Sequence, residues 1–361
     1  KLRVREDADS ATSTTRDLVF FGEALYNANR AVFDATVFIN TPVTSDGNGA
    51  LYFGFIVTGS NPANLTSGIA RVSSDGTGTW VSAKAISAEL IVDKVAMNCA
   101  PALSADGTTL YVAVNTTPIS GTRASGFLLA LQASNLALRH KIQLLDPATG
   151  TPAWVNDNST ASPTVATDGR VYYGVLEANP PAHNFRGWML QFDATLSPSG
   201  VAGAFGWDDT ASIVPATLVP AYSGNSSYLL MVKYNNYGGV GSGDGLNRIA
   251  ILDPGNSQAD TLSTRQVMRE VLTIVGPTPD PGYPGGVREW CINTAAVDPF
   301  TKSVLVNNED GYLYRWNLST NRFSERIQLT SGLGEAYTPT AIGPTGSVFA
   351  VNNAILFSIG R

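Results

Sequence analysis

Charged residues, histidine and cysteine are all scarce in this chain of 361 residues. Charged side chains make up 14%, and there are two histidines (His140 and His183) and two cysteines (Cys99 and Cys291). So few histidines exclude a histidine-built metal centre, and neither a G-x-S-x-G elbow nor an H-E-x-x-H helix motif occurs. Acids outnumber bases by 29 to 23, for a net charge of −6, which argues against a nucleic-acid phosphate backbone as partner. No apolar run approaches the roughly 18 residues that a membrane-spanning helix needs. With little charge, the surface falls to Thr, Ser, Asn and Gly, a composition common in secreted proteins of short strands. Lys1 opens the chain without Met, as expected of a processed product, and the expected location is secreted or periplasmic.

What is present is repetition. A Pro or Thr in an apolar run, a tight polar turn and a second apolar run recur six times. Clear copies are Thr41-Pro42-Val43…Asp46-Gly47…Leu51-Tyr52-Phe53-Gly54, Ala100-Pro101-Ala102…Asp106-Gly107…Leu110-Tyr111-Val112 and Ser162-Pro163-Thr164…Asp168-Gly169…Val171-Tyr172-Tyr173-Gly174. Weaker copies start at Val214-Pro215-Ala216 and Asn293-Thr294-Ala295, and a last one at Thr338-Pro339-Thr340. A spacing of about 60 residues with several strands per unit is that of propeller blades. A third run (Ile69–Val72, Phe127–Leu131, Trp188–Phe192 and their successors) and a fourth, more polar one complete each middle unit.

The expected fold is therefore all-β: a single β-propeller domain over 1–361, of six four-stranded blades starting near 38, 98, 161, 213, 291 and 337. The last unit ends after its third run, so residues 1–37, with Asp17-Leu18-Val19-Phe20-Phe21, are expected to supply its outer strand and close the ring. Seven blades are the alternative. Cys99 and Cys291 hold equivalent positions in the second and fifth units, opposed in a six-bladed ring and too far apart for a disulfide. They read as buried thiols, with a metal pair across the axis as the alternative.

The wording Ser162-Pro163-Thr164-Val165-Ala166-Thr167-Asp168-Gly169-Arg170-Val171-Tyr172-Tyr173-Gly174 resembles the repeat of the quinoprotein-like (pyrroloquinoline-quinone-type) propellers. So does Asn307-Asn308-Glu309-Asp310-Gly311-Tyr312-Leu313-Tyr314-Arg315-Trp316-Asn317. The resemblance spans most of 38–361 and implies the fold. It does not imply the cofactor: the quinone dehydrogenases of that superfamily hold it against adjacent cysteines with a calcium ion, and this chain has no adjacent cysteine pair. No cofactor is expected, with calcium at Asp244 as the alternative.

Strand alternation places the short Asp-Gly turns on one face and the long connections (59–68, 115–126, 177–187, 235–247) on the other, where binding residues gather. Segments leading into the blades add Asn40, Asn98, Trp154, Asn156, Asp157, Asn158, Arg288, Glu289, Trp290, Glu335 and Tyr337 to that face; the long loops add His183, Arg186 and, at a strand end, Tyr234. The candidate catalytic set is His183, Tyr337, Arg288, Glu289 and Glu335; the others are candidate ligand contacts. Aromatic faces beside carboxylates, amides and Arg suit sugar hydroxyls and uronates. The expected function is a secreted module, in monomeric form, binding a carbohydrate or other small polar ligand at the channel mouth. A polysaccharide lyase or glycoside hydrolase on the same face is the alternative, and a protein-interaction scaffold the second. Whether the chain is an enzyme is left open.

Overall fold

The structure is a computed structural model describing residues 1–7, 9–116 and 123–360; part of the expected long connection 115–126 thus lies outside the described residues. The chain forms two compact units, Lys1–Leu144 with Val155–Asn158, and Leu145–Trp154 with Ser159–Arg361. Both are built of antiparallel meander sheets, and the fold is all-β, of the β-propeller class.

In the first unit, Val37–Ile39 and Thr44–Ser45 both pair with Leu51–Val57, which continues through Gly68–Val72 to Gly78–Ser82. The second sheet repeats this: Val92–Val95 and Ala102–Leu103 on Thr109–Thr116, then Gly126–Gln132 and Leu138–Gln143. The second unit holds four more sheets. The third is Thr164–Val165, Val171–Val175, Trp188–Phe192, and the fourth Ser212–Pro215, Tyr228–Tyr234, Arg248–Ala259, Gln266–Val275. The fifth is Ala296–Asp298, Ser303–Asn307, Tyr312–Asn317, Arg322–Gln328, and the sixth Ala341–Ile342, Val348–Asn352, Ile355–Ile359. Each sequence repeat has thus become one sheet.

Inner strands are buried on both faces, which is why they read as continuous rather than alternating apolar runs. Every residue of Thr109–Thr116, Val171–Val175 and Tyr228–Tyr234 is buried, whereas Leu138–Gln143 and Arg322–Gln328 are largely exposed. The hairpins between the first and second runs turn as their residues dictate. Gly107 and Gly169 sit at φ of 69° and 85°, where a side chain would be strained. The preceding aspartates accept the amides of Thr108 and Arg170 at 3.0 and 3.1 Å.

Three expectations need correction. Residues 1–37 add no strand to the sixth sheet. Leu2–Arg5 pairs with Thr15–Leu18 in a hairpin of its own, and 19–36 pack on the first sheet. Aromatic burial is the cause: the Phe20 ring lies 4.6 Å from Phe55, Phe21 lies 4.4 Å from Phe33, and the Phe20 carbonyl runs so close over Gly78 that no Cβ would fit there. The third sheet has no full fourth strand among the described residues, only bridges from Met189 to Gly203 and from Phe192 to Pro198. In the fourth, the third run does not end at Leu252 but continues through Asp253-Pro254-Gly255 to Ala259, with a shift in register between Asp253 and Ser257. The Asp253 carboxylate makes this possible, accepting from Tyr222, Ser226, Gly255 and Asn256 at 2.6–2.9 Å.

Candidate functional site

The chemistry-bearing cluster lies within the second unit. It is assembled from segments that lead into three sheets, the 308–311 turn of the fifth sheet, and one strand residue, Lys233. Backbone and amide clamps fix these parts. Asn235 accepts the Trp290 amide and donates to the Trp290 carbonyl, both at 3.1 Å, locking 288–291 to the end of Tyr228–Tyr234. The Thr210 amide reaches the Asn293 carbonyl at 3.1 Å, and the Thr340 amide reaches that of Thr294 at 3.0 Å. Gly334 N donates to Glu309 O at 2.8 Å and Asn353 N to Glu335 O at 3.1 Å, so the segment before the sixth sheet rests on the fifth sheet's turn.

Six carboxyl groups (Asp208, Asp209, Asp280, Glu289, Glu309 and Glu335) gather around two cations, Lys233 and Arg288. Lys233, 2% exposed, points its ammonium at Asp208 at 3.5 Å. The other Asp208 oxygen accepts the Thr160 amide and hydroxyl at 2.5 and 2.6 Å. Burial pulls the ammonium's pKa down, but Asp208, Asp209, Cys291 and Glu289 more than offset this and hold it above the usual lysine value. Beside it Asp209 is 1% exposed, has one oxygen without a hydrogen-bond partner, and is pushed by burial up to about 8. Burial also raises Glu289, partly offset by Lys233, with the negative charge of Glu335 adding to the rise. Glu309 is pushed up to about 7 by burial and then by Glu289. The Cys291 thiol donates to Glu309 Oε2 at 3.5 Å and is itself raised by burial and by Glu289. Arg288 spans Asp280 at 3.4 Å and Glu309 at 3.9 Å. At the edge, Glu335 is exposed and Tyr337 is 40% exposed, its phenol raised by burial, Cys291 and a hydrogen bond to Glu335.

The sequence expectation thus brought Arg288, Glu289, Glu335 and Tyr337 together, but not Trp290 as a ligand platform. Trp290 is 0% exposed, packed 5.8 Å from both Tyr314 and Phe323 in the core between the fourth and fifth sheets. His183 is also withdrawn from any open pocket. It is 2% exposed, stacked at 3.9 Å on Trp188, with Nδ1 facing the Gly187 carbonyl at 3.1 Å and Nε2 facing Asp260 at 3.2 Å. Tyr234, 6% exposed, donates to Glu270 at 2.6 Å, and Arg186, 5% exposed, covers its ring. Trp154 is half-buried and bridged to Leu176. These lie in the second unit but outside the acidic cluster.

The remaining candidates belong to the first unit. Asp157 is an ion-pair partner of Lys94 at 2.8 Å and accepts from Asn115 at 2.9 Å, while Asn156 accepts the Ala124 amide at 3.0 Å; both are structural ties. Asn158 is exposed. Asn40 donates to Val95 O at 3.0 Å, and with exposed Asn98 it lines an open depression of about 420 Å³.

For metals, donor atoms of Glu289, Cys291 and Glu309 lie within 4.8 Å of one another. A thiol is no calcium ligand, and the Lys233 ammonium acting on both Cys291 and Glu289 opposes a cation there. Asp244 accepts from Asn236, Leu246 and Arg248. The cysteines sit in different units and neither forms a disulfide, which does not fit the adjacent-cysteine seat of a quinone.

Lys233, Asp208, Asp209 and Glu309 were absent from the sequence candidates. The signal was there for Lys233: it is the one charge in the run Tyr228-Leu229-Leu230-Met231-Val232-Lys233-Tyr234. A lysine placed where both strand faces are buried demands acidic partners.

No family model matches the chain, and no curated protein matches it. Among solved structures it resembles a glucose dehydrogenase at 11% identity and TM-score 0.45, covering 90% of this chain and 99% of that one. It also resembles the quinohemoprotein alcohol dehydrogenase of Comamonas testosteroni (14%, 0.44), spanning 88% of this chain and about half, 52%, of that one. BamB from Moraxella catarrhalis follows at 12% identity and TM-score 0.39, covering 89% of this chain and 82% of that one. Identities of 11–14% with TM-scores of 0.39–0.45 assign no superfamily and transfer no residue role.

Proposed function

We propose that the second unit binds a small polyhydroxylated ligand, a carbohydrate in class, at the cluster of Arg288, Glu289, Glu309, Glu335 and Tyr337, in a secreted or periplasmic setting. One observation carries this reading: Glu289 and Glu309, both raised by burial, adjoin an exposed glutamate and a half-open tyrosine. Protonated carboxyls donate, ionised ones accept, and the phenol does both, a mixture that matches hydroxyls better than it matches a fixed charge. Hydrolysis is the less favoured reading. Two-carboxylate catalysis needs one group held up and its partner ionised; Glu289 and Glu309 are both raised, which leaves as partner only Glu335, hydrogen-bonded to the Tyr337 phenol. Lyase chemistry is less favoured too, because Arg288 is already engaged by Asp280 and Glu309.

A glycan and polysaccharide screen, read for binding and for new reducing or unsaturated ends, tests it. We expect binding without turnover. Tyr337→Phe and Glu335→Gln should each weaken it roughly tenfold, the size of one lost hydrogen bond. Because both side chains are substantially exposed, the unfolding midpoint should hardly move. Absence of any glycan ligand, or affinity untouched by both substitutions, would overturn the proposal.

A further inference from the structure

The sixth sheet stops one strand short. The first, second, fourth and fifth sheets each end in a fourth strand, whereas the sixth ends at its third, Ile355–Ile359. Among the described residues no strand or bridge lies on the outer side of that strand, so its outward N–H and C=O groups form an open edge. The edge is apolar: Ile355 is 52% exposed and Leu356 is 68% exposed, with Phe357 and Ile359 half-buried. From Phe349 to Gly360 there is no charged residue and no proline, the residues that usually blunt such an edge. By contrast, the outer strands of the second, fourth and fifth sheets all carry charge: Arg139 and Lys141, Arg269 and Glu270, and Arg322, Glu325 and Arg326.

The neighbouring sheet shows the same gap. Leu313 packs with Val348 and Ala350 of the sixth sheet, so its register partner Ile327 stands on the side of the fifth sheet that faces the sixth. Ile327 is 44% exposed, and the sixth sheet has no fourth strand to cover it. Ile359 and Phe357, the register partners of Val348 and Ala350, point to this same side, and strand alternation adds Ile355. A strand laid along the edge would therefore meet an apolar row.

We propose that Ile355–Ile359 pairs with the same strand of a second copy of the chain, antiparallel about a two-fold axis at Phe357, joining two three-stranded sheets into one. The strand is complementary to itself in that register. Ile355 meets Ile359 of the second copy, Phe357 meets Phe357, and Leu356 meets Ser358. The first two are apolar cross-strand pairs on the side of Ile327, and no like charges oppose each other across the axis, the usual obstacle to self-pairing. The contact uses the same edge on both copies, so it closes at two. A seam this short buries less than the roughly 1,200 Å² of a stable interface, so the dimer should be weak and concentration-dependent. The contact uses no residue of the acidic cluster and stands whether or not that cluster binds a glycan.

The test uses the whole chain. Sedimentation equilibrium from about 5 to about 500 µM should show a monomer passing into a dimer and nothing larger. Amide hydrogen exchange at 355–359 should slow as the protein is concentrated, while the outer strand Leu138–Gln143 exchanges at an unchanged rate. Leu356→Lys replaces a side chain that is 68% exposed, so the unfolding midpoint should hold. The dissociation constant should rise roughly tenfold or more as a cation enters the apolar seam. A protein that stays monomeric over this range, with 355–359 exchanging at a fixed rate, would leave the edge to a strand of another protein and overturn the proposal. So would a dimer that Leu356→Lys leaves intact, or open-ended aggregation.

Discussion

Replacing Lys233 with methionine should cost about 3–5 kcal/mol of stability at pH 8, the range found when one partner of a buried ion pair is removed. The ammonium is 2% exposed and 3.5 Å from Asp208, and it also acts on Asp209, Glu289 and Cys291. Without it, Asp208 and its neighbours would be acids enclosed at low dielectric with no cation. Asp209 and Glu289, already raised by burial and held down in part by this ammonium, would then keep their protons more readily, so the loss should shrink at pH 5. A Lys233→Met, Asp208→Asn double variant should recover part of the stability, because the stranded charge goes too. Urea titrations of the three proteins at both pH values measure this. A single variant as stable as wild type at pH 8 would show that Lys233 is a passenger in its strand.

Acidification from pH 8 to pH 5 should strengthen the wild-type protein. Asp209 and Glu177, each 1% exposed, are raised by burial from ordinary values of 3.8 and 4.5 to about 8 and about 7. Between those limits the folded chain holds protons that the unfolded chain has released, so stability falls as pH rises. Each group contributes a slope of at most about −1.4 kcal/mol per pH unit within its own window. Glu309, also raised to about 7 but less enclosed, adds a smaller share. Below pH 4 the trend should reverse. Asp260, which burial would raise but its hydrogen bond to His183 holds down at about 2, then loses its charge and the stabilisation that depends on it. Denaturant midpoints from pH 3 to 9 should therefore peak near pH 4 to 5. A midpoint that is flat, or climbs towards pH 8, would mean these acids are ionised in the native state.

Much of the fold was legible because inner strands such as Thr109–Thr116, Val171–Val175 and Tyr228–Tyr234 are buried on both faces and therefore read as largely apolar runs, and because Asp-Gly pairs mark the turns. What misled was context. Asp17-Leu18-Val19-Phe20-Phe21 looks like a spare strand, yet Phe20 packs against Phe53 and Phe55 and Phe21 against Phe33 of the second short helix. Pro254-Gly255 would ordinarily break a strand, yet an aspartate with four hydrogen bonds makes it a bulge.

At the site, Arg288, Glu289, Glu335 and Tyr337 lie near one another because equivalent lead-in segments run to the same place. Spacing in the repeat could not separate a side chain aimed into the cluster from one aimed into the core. Glu289 and Trp290 are neighbours, and strand-like alternation sends one to each. Lys233 was missed because strand residues were read for hydrophobicity alone.

Cys291 turns the cluster into its own sensor. Its thiol is 4% exposed, is raised well above the ordinary value, and is tethered to Glu309, so an alkylating reagent should meet a reactive thiolate only during transient openings of this part of the chain. In a Cys99→Ser background, the labelling rate would count those openings directly. Any guest that settles against Glu289 and Glu309 should slow the clock.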